Sequence, residues 1–181
     1  MLFARLVPEF ETLSPGIDEQ AIRSEDYALL PLLLARAKAD ALLNHVPQDA
    51  ILVTCDQVVV CNGDLREKPS SVAEARRWLN TISDHPSQTN TAIVVHNVST
   101  GARHEGVDIA RVYFRPLPAA TIEQLIEEGR IFAAAGGFLI EDPRFAASVA
   151  RIEGETESVM GLPIELTARL LCLAAGRAIE S

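Results

Sequence analysis

The sequence predicts an α/β protein in which helices flank a mixed, twisted sheet. Segments with leucine and alanine at helical spacing interleave with runs rich in valine and isoleucine. Glycine and proline fall between these segments, as is typical of the turns that join helices and strands. The chain has 181 residues, of which 48% are hydrophobic. This size suits one domain with a buried core, and we expect residues 1–181 to form a single domain.

Two elements are expected in the first third of the chain. Leucines and alanines at helical spacing predict a helix in SEDYALLPLLLARAKADALLNHV. Ser24 is a candidate N-cap, and Pro31 either kinks this helix or marks its true start. AILVTCDQVVVC predicts a strand, and the Asn62-Gly63 pair after it predicts a tight turn into a second short strand or loop.

The remaining segments continue the alternation of helices and strands. Ser70 or Ser71 can cap an amphipathic helix over VAEARRWLNTIS, and the stretch on either side of STG predicts a β-hairpin. Pro118 and Gly129 bound a further helix. AAAGGFLIEDP indicates a glycine-bearing loop that enters a short apolar strand, and a last helix is expected from about Pro163 to Gly176.

Composition excludes several classes of function. The formal charge of −9 argues against binding nucleic acid, which needs a basic face, but it permits a small anionic ligand with a divalent metal. No apolar run is long enough to span a membrane, and the first residues lack the layout of a signal peptide. Three cysteines without a zinc-ligand spacing indicate reduced thiols. We therefore expect a cytoplasmic protein with no membrane partner.

Asp56 is the first candidate for chemistry, because it lies inside the apolar run ILVTCDQVVV. A buried carboxylate is costly unless it is paired, hydrogen-bonded or bound to a metal. A strand that ends or bulges at Asp56 would place the carboxylate at the mouth of the sheet, where α/β proteins bind ligands. The alternative is an acid on the polar side of an edge strand, but the neighbours of Asp56 on both faces are apolar. The pattern therefore favours a functional role.

Four other charged residues carry weaker signals. Lys68 precedes Pro69, which restricts its backbone and suits a phosphate contact, although an exposed loop lysine fits equally well. Lys38 lies on the first predicted helix, where a solvated lysine is the ordinary interpretation. Glu141 follows two glycines that allow a ligand to approach, or it starts a helix before Pro143. On spacing alone, Glu19 belongs to a solvated acidic turn.

Several familiar sites are absent from the sequence. A haloacid-dehalogenase phosphatase needs a second Asp two residues after Asp56, but Val58 occupies that position. No GxxxxGK[ST] motif occurs, and the four histidines have no ligand-like spacing. The GLP sequence at residues 161–163 precedes a helix and offers a weak signal for phosphate at the helix N-terminus.

Taken in order, several motifs resemble those of the Maf-like nucleoside triphosphate pyrophosphatases. These motifs are PGIDE, LARAKADAL, TCDQVVV, REKPSS with EAR, TAIVV, AAGGFLIED and SVMGLPIEL, and the similarity runs from about residue 10 to residue 173. The resemblance implies the Maf/inosine-triphosphatase-like fold with an active-site cleft. It also implies hydrolysis of a nucleoside triphosphate between the α and β phosphates, with a divalent metal cation (Mg or Mn) and often a homodimer.

The resemblance also assigns roles to individual residues. Asp56 matches the catalytic acid taken as the base that activates water, and Lys38 and Lys68 match phosphate-contacting lysines. Glu19 matches an acid that contacts metal or substrate; no metal ligand is assigned beyond this. These roles fit phosphoryl chemistry, which depends on positioning and on charge neutralisation.

Two positions indicate the substrate branch. Gln57 after the acid and Glu141 in the glycine loop resemble the branch that prefers 7-methyl-GTP, whereas the other branch has Thr and Gln and prefers dTTP and UTP. A carboxylate can accept hydrogen bonds from the guanine N1–H and N2–H₂ groups and favours a cationic methylated base. The REKPSSV and SVMGLPIEL motifs are most similar to plant or algal members.

One family feature has no counterpart in the sequence. Family members begin with a strand and an S-x-S-x-R-R loop that contacts phosphates, and this chain matches the family only after that motif. We therefore expect a domain without its first strand and phosphate loop. Two hypotheses stay open: an enzyme, and a nucleotide-binding or cell-division regulatory protein that kept the pocket and lost turnover.

Overall fold

The computed structural model describes residues 2–177 and arranges them around one five-stranded sheet of order β2-β1-β3-β4-β5. The strands are β1 (Ile51–Cys61), β2 (Asp64–Arg66), β3 (Ser87–Asn97), β4 (Arg103–Phe114) and β5 (Val149–Glu153). The helices are α1 (Leu30–Leu42), α2 (Val72–Asn80), α3 (Ala119–Glu128), α4 (Pro143–Ser148), α5 (Thr156–Val159) and α6 (Ile164–Ala174).

The predicted α/β fold with a helix-flanked sheet is confirmed. β1 pairs antiparallel with β2, and β4 pairs antiparallel with β5. A tight turn joins β1 directly to β2. Asn62 and Gly63 both have positive φ (53° and 84°), which suits the two-residue turn between β1 and β2. At the far edge, β5 pairs with the end of β4.

The described residues divide into two compact units. The first contains residues 2–56, 91–108 and 161–177, and the second contains Gln57–Asn90 and Ile109–Met160. The single-domain expectation for residues 1–181 stays a prediction.

The first unit has an apolar cluster on each face of β3. Ala92 and Val94 pack with α1, whereas Ile93 and Val95 pack with α6. Alternate residues of a strand point to opposite faces, so helices on both sides explain why this strand is apolar without interruption. Pro31 lies in the first turn of α1 and marks its true start. Ser24 is not its N-cap: Leu29 occupies that position, and Ser24 Oγ instead accepts a hydrogen bond from Asp26 N.

The second unit is built on one large core. Ser71 caps α2, and Gly129 ends α3 in the left-handed conformation, as predicted. The core includes three aromatic rings, from Phe114, Phe138 and Phe145, whose centroids lie 5.2–6.4 Å apart.

Residues after the Gly136-Gly137 pair do not form the predicted strand. Phe138 and Ile140 are buried in the core, but their backbone follows 3-10 turns and an irregular segment. Both glycines have a φ of 71°, which turns the chain before it can extend. Two short elements, β5 and α5, were not anticipated, whereas α4 begins at Pro143, where a helix start was one of the alternatives.

The N-terminal residues are largely irregular. Residues 2–29 contain two 3-10 turns, Phe3–Arg5 and Glu19–Ala21, and β1 is the first strand of the described chain. Between residues 2 and 177, no helix has both the length and the apolar character that crossing a membrane requires.

Candidate active site

Asp56 lies at the middle of β1 on the face that packs against α1. Thr54, two residues earlier on that face, is buried and donates a hydrogen bond from Oγ1 to Ala35 O at 2.7 Å. Lys38 follows Ala35 by three residues, so it lies on the same side of α1. The two-residue period of the strand and the helical spacing therefore bring Asp56 to Lys38.

Lys38 is the centre of a cluster with two carboxylates, which we call the Lys38 cluster: Glu19, Lys38 and Asp56. Lys38 Nζ contacts Asp56 Oδ2 and lies 2.8 Å from Glu19 Oε1. The side chains of Lys38 and Asp56 are only 16% and 10% exposed, whereas that of Glu19 is 49% exposed. The structure thus brings three of the six predicted site residues together at one ammonium group.

The charge of Lys38 is maintained despite its burial. Burial opposes the ammonium form, but hydrogen bonds to Asp56 and Glu19 outweigh it, so the pKa of Lys38 is raised above 10.5. The ammonium in turn compensates the carboxylate that the sequence places in an apolar strand. β1 continues past Asp56 to Cys61, so the strand does not end at Asp56, and a bulge there stays a prediction.

The donor set suits a magnesium or manganese ion only with help from a substrate. Among residues 2–177, no group of three or more His, Cys, Asp or Glu side chains is placed to hold a metal ion. The carboxylates of Asp56 and Glu19 nevertheless both contact Lys38 Nζ. Mg²⁺ is commonly held by one or two carboxylates together with substrate phosphates, so these residues fit such an ion.

Gln57 and Glu141 both line a cavity of about 170 Å³ in the second unit. The other seven lining residues are all apolar: Ala134, Ala135, Phe138, Leu139, Ile140, Val159 and Met160. Gln57 Nε2 donates a hydrogen bond to Ser158 O at 2.7 Å, which fixes its amide. Glu141 is exposed, and it precedes the residue that caps α4, so it is not the helix-start acid. The lining therefore combines apolar residues with Gln57 and Glu141, and polar atoms supply more of its surface than apolar atoms do.

Lys68 is exposed on a loop that is held against the turn before the cavity. Gly136 N donates to Glu67 O at 3.0 Å. A Cβ atom at Gly137 would lie 3.1 Å from Pro69 Cγ, so only glycine leaves this loop its close approach. Lys68 itself has no hydrogen-bond or ion-pair partner within residues 2–177, which leaves its ammonium available to an anion.

The thiol beside the Lys38 cluster is not a nucleophile. Cys55 Sγ donates to Gly161 O at 3.0 Å, and burial, together with the charge of Asp56, raises the pKa of Cys55 to about 12. A protonated thiol is inert, in agreement with the prediction of reduced structural cysteines. Phosphate binding by the GLP sequence stays a prediction.

Sequence reasoning missed Asp142 and Arg144, which lie directly after the cavity. Asp142 is 4% exposed, and three hydrogen bonds from Arg144 lower its pKa to about 2. The signal was present as an Asp before Pro143, which is typical of a helix N-cap.

Comparison with known proteins gives a consistent result. The model of the family described as Maf-like protein matches residues 1–174. The chain is 40% identical over 169 residues to the 7-methyl-GTP pyrophosphatase of Dictyostelium discoideum, covering 90% of this chain and 85% of that protein. It is 38% identical over 172 residues to the dTTP/UTP pyrophosphatase of Vibrio vulnificus (strain YJ016), covering 94% and 90%. A 7-methyl-GTP pyrophosphatase of Vibrio vulnificus (strain CMCP6) is 32% identical over 164 residues, covering 90% and 83%.

Proposed function

The chain belongs to the Maf-like protein family, and from that membership we propose that it hydrolyses nucleoside 5′-triphosphates to the monophosphate and pyrophosphate. The Lys38 cluster is the observation that carries this proposal. It pairs a nearly buried carboxylate with an ammonium group that can exchange this contact for a phosphate oxygen. Relatives named for both substrate branches support the reaction class. We also propose a role for each of the six site residues.

Asp56 acts as the base. Its carboxylate accepts a proton from water while the water oxygen forms a bond to the α-phosphorus. The bond between the α-phosphorus and the bridging oxygen to the β-phosphorus breaks, and pyrophosphate leaves with that electron pair. Lys38 keeps the carboxylate charged and oriented before substrate arrives.

The lysines neutralise the triphosphate. Lys38 exchanges part of its contact with the carboxylates for a phosphate oxygen, and Lys68 contributes a second ammonium from its loop. Asp56 and Glu19 would hold a divalent cation together with the phosphates, and this ion would supply further neutralisation of charge. Positioning and charge account for most of the rate enhancement in such reactions.

Gln57 and Glu141 select the base, and we infer a preference for 7-methyl-GTP. The Glu141 carboxylate can accept from two adjacent N–H donors of guanine and attracts a cationic ring. Thymine and uracil present carbonyl oxygens on both sides of one N–H, which a carboxylate repels. Turnover of such a substrate would remove a modified nucleotide from the pool.

We also propose that the protein is cytoplasmic and forms a homodimer. The three free cysteines suit the reducing conditions of the cytoplasm. Family resemblance supports a homodimer, and light scattering of the purified protein tests it.

The test is pyrophosphate release from 7-methyl-GTP, GTP, dTTP and UTP with magnesium or manganese. We expect 7-methyl-GTP to give the highest kcat/KM. In the Asp56→Asn variant, which keeps the size of the side chain, we expect turnover to fall by about 10²–10⁴-fold because the base is lost. Equal turnover by the variant would remove Asp56 from the mechanism.

A folded parent protein that binds 7-methyl-GTP without releasing pyrophosphate would instead support the second hypothesis, that of a nucleotide-binding protein. Calorimetric titration with the same four nucleotides makes this distinction.

A further inference from the structure

Glu141 is an exposed side chain between two buried neighbours. Ile140 is 9% exposed and belongs to the core of the second unit, and Asp142 is 4% exposed. Asp142 N also donates to Leu139 O at 3.0 Å, which closes a turn around Glu141. The backbone of Glu141 is therefore anchored on both sides, and this residue lines the cavity.

The anchor after Glu141 is a network that we call the Asp142 cluster: Asp142, Arg144 and Glu128. Asp142 Oδ1 accepts from Arg144 N at 3.0 Å and from Arg144 Nε at 2.9 Å, and Asp142 Oδ2 accepts from Arg144 Nη2 at 2.7 Å. Asp142 is thus the cap of α4 and one half of a two-point ion pair.

Glu128 fixes the other side of the guanidinium. Its two carboxylate oxygens accept from Arg144 Nη1 at 2.7 Å and Nη2 at 2.6 Å. Glu128 is the last residue of α3, which has three buried residues in the core, so the loop is tied to a rigid element. Arg130 adds a more distant charge, with Nη1 3.7 Å from Asp142 Oδ2.

We propose that Asp142 and Arg144 are positioning residues that hold Glu141 in place and so set the preference between purine and pyrimidine bases. This inference rests on the proposed function, because it concerns base selection at the same cavity. Neither residue needs to touch the nucleotide, since each acts through the backbone of Glu141.

Base selection by a carboxylate depends on geometry. Two parallel hydrogen bonds to the guanine N1–H and N2–H₂ groups require both oxygens to be aligned at once. A displaced Glu141 loses one of these bonds, and it also moves away from the carbonyl oxygens of a pyrimidine that it otherwise repels. Both effects lower the ratio of purine to pyrimidine affinity.

The test compares two variants of the cluster with a matched control. Asp142→Asn removes the charge but keeps an oxygen for the α4 cap. Arg144→Lys keeps the charge but cannot make the forked contact, and it carries the test if Asp142→Asn does not fold. Arg76→Lys is the control: Arg76 makes the same forked contact with Glu123 at 2.8 and 2.7 Å, and neither residue lines the cavity.

Two readouts separate this inference from the proposed function. The first is the ratio of kcat/KM for 7-methyl-GTP to that for UTP. The second is the Kd of the UTP analogue divided by the Kd of the 7-methyl-GTP analogue, with both analogues made non-hydrolysable by an α,β-methylene group, and it needs no turnover. A failure of pyrophosphate release in every protein would overturn the proposed function, and the binding ratio would still decide the inference.

We expect Asp142→Asn and Arg144→Lys to lower both ratios about tenfold, the effect of losing one well-placed hydrogen bond to a charged group. Arg76→Lys should leave both ratios unchanged. A purely structural role would lower the melting temperature and affect both nucleotides equally, so an unchanged ratio in folded variants overturns the inference. A parent protein that binds both analogues equally also overturns it.

Discussion

The Lys38 cluster and the Asp142 cluster each place one cation between two carboxylates, but they hold that cation differently. Lys38 has a single nitrogen on a flexible stem, and its two partners are side chains of β1 and of a 3-10 turn near residue 19. Arg144 makes forked contacts with both partners, and one of them, Asp142, also caps a helix. A point charge can change partners without breaking a planar network, whereas a forked guanidinium cannot.

Similar sets of charges therefore have different roles in the two clusters. In the Lys38 cluster an ammonium can move toward a phosphate, which suits chemistry. In the Asp142 cluster the guanidinium is bonded to both carboxylates and holds a loop in place, which suits positioning. Perturbing the two clusters in parallel tests this contrast.

Metal removal should have the largest effect and should separate the two clusters most clearly. We expect chelation with EDTA to lower pyrophosphate release by at least about 100-fold, because several kcal/mol of charge stabilisation would be lost. Binding ratios that depend on the Asp142 cluster should persist. Undiminished turnover after chelation would exclude a metal requirement.

Replacing the cation of each cluster by methionine, an uncharged side chain of similar length, should affect kcat to different extents. We expect Lys38→Met to lower kcat by about 10²–10³-fold, the range for loss of one group that stabilises transition-state charge. Arg144→Met should reduce kcat for the best substrate far less, although it should lower the melting temperature because it strands the nearly buried Asp142 charge. Equal losses of kcat would contradict the contrast.

Substituting the two base-selecting residues should change preference rather than rate. We expect Gln57→Thr combined with Glu141→Gln to shift relative kcat/KM toward dTTP and UTP by about tenfold or more, because an amide can donate to a pyrimidine carbonyl. The four-nucleotide assay measures this shift. An unchanged substrate profile in the double variant would sink the assignment of Gln57 and Glu141.

The smallest expected effect concerns the pH dependence of the free energy of unfolding. The contribution of Asp142 should be lost in acid, whereas that of Lys38 should be lost in alkali. The pKa of Asp142 falls from 3.8 to about 2, so its stabilisation is present above pH 3.8 and is lost as pH falls toward 2. The pKa of Lys38 is raised, so its stabilisation is present below 10.5 and is lost as pH rises beyond that value.

Chemical denaturation across the pH range measures both limbs. Asp142→Asn should lack part of the acid limb, and Lys38→Met should lack part of the alkaline one. Arg144 stays charged throughout, and the charges of Glu128 and Arg130 act on both the parent and the Asn variant. Identical curves for the parent and the variants would show that the clusters do not govern these limbs.

Local signals predicted much of the fold. Ser71 as a cap, Gly129 as a helix end and the Asn62-Gly63 turn each depend on one or two residues, so sequence alone identifies them. The prediction of a short strand after Gly137 was wrong, because Phe138 and Ile140 are buried by core packing and not by pairing with another strand. The strand β5 was missed because its partner β4 lies about 40 residues away in sequence, as the pairing of Arg111 with Glu153 illustrates.

The part of the candidate site that depends on local sequence signals was predictable, and the part that depends on distant contacts was not. The apolar surroundings of Asp56 required a partner, and the structure supplies Lys38, 18 residues earlier in the chain. Nothing in the spacing identifies Glu19 as the third member, because it comes from an irregular segment; only the family resemblance did. The Asp142 cluster depends on Glu128, 16 residues before Arg144, and such a contact is set by tertiary packing.

The most direct measurement of the central claim is identification of the products of 7-methyl-GTP in ¹⁸O-labelled water. If Asp56 directs water to the α-phosphorus, we expect pyrophosphate without label and 7-methyl-GMP carrying one ¹⁸O atom, and we expect Asp56→Asn to abolish both. Release of labelled orthophosphate, or equal product formation by the variant, would contradict the account.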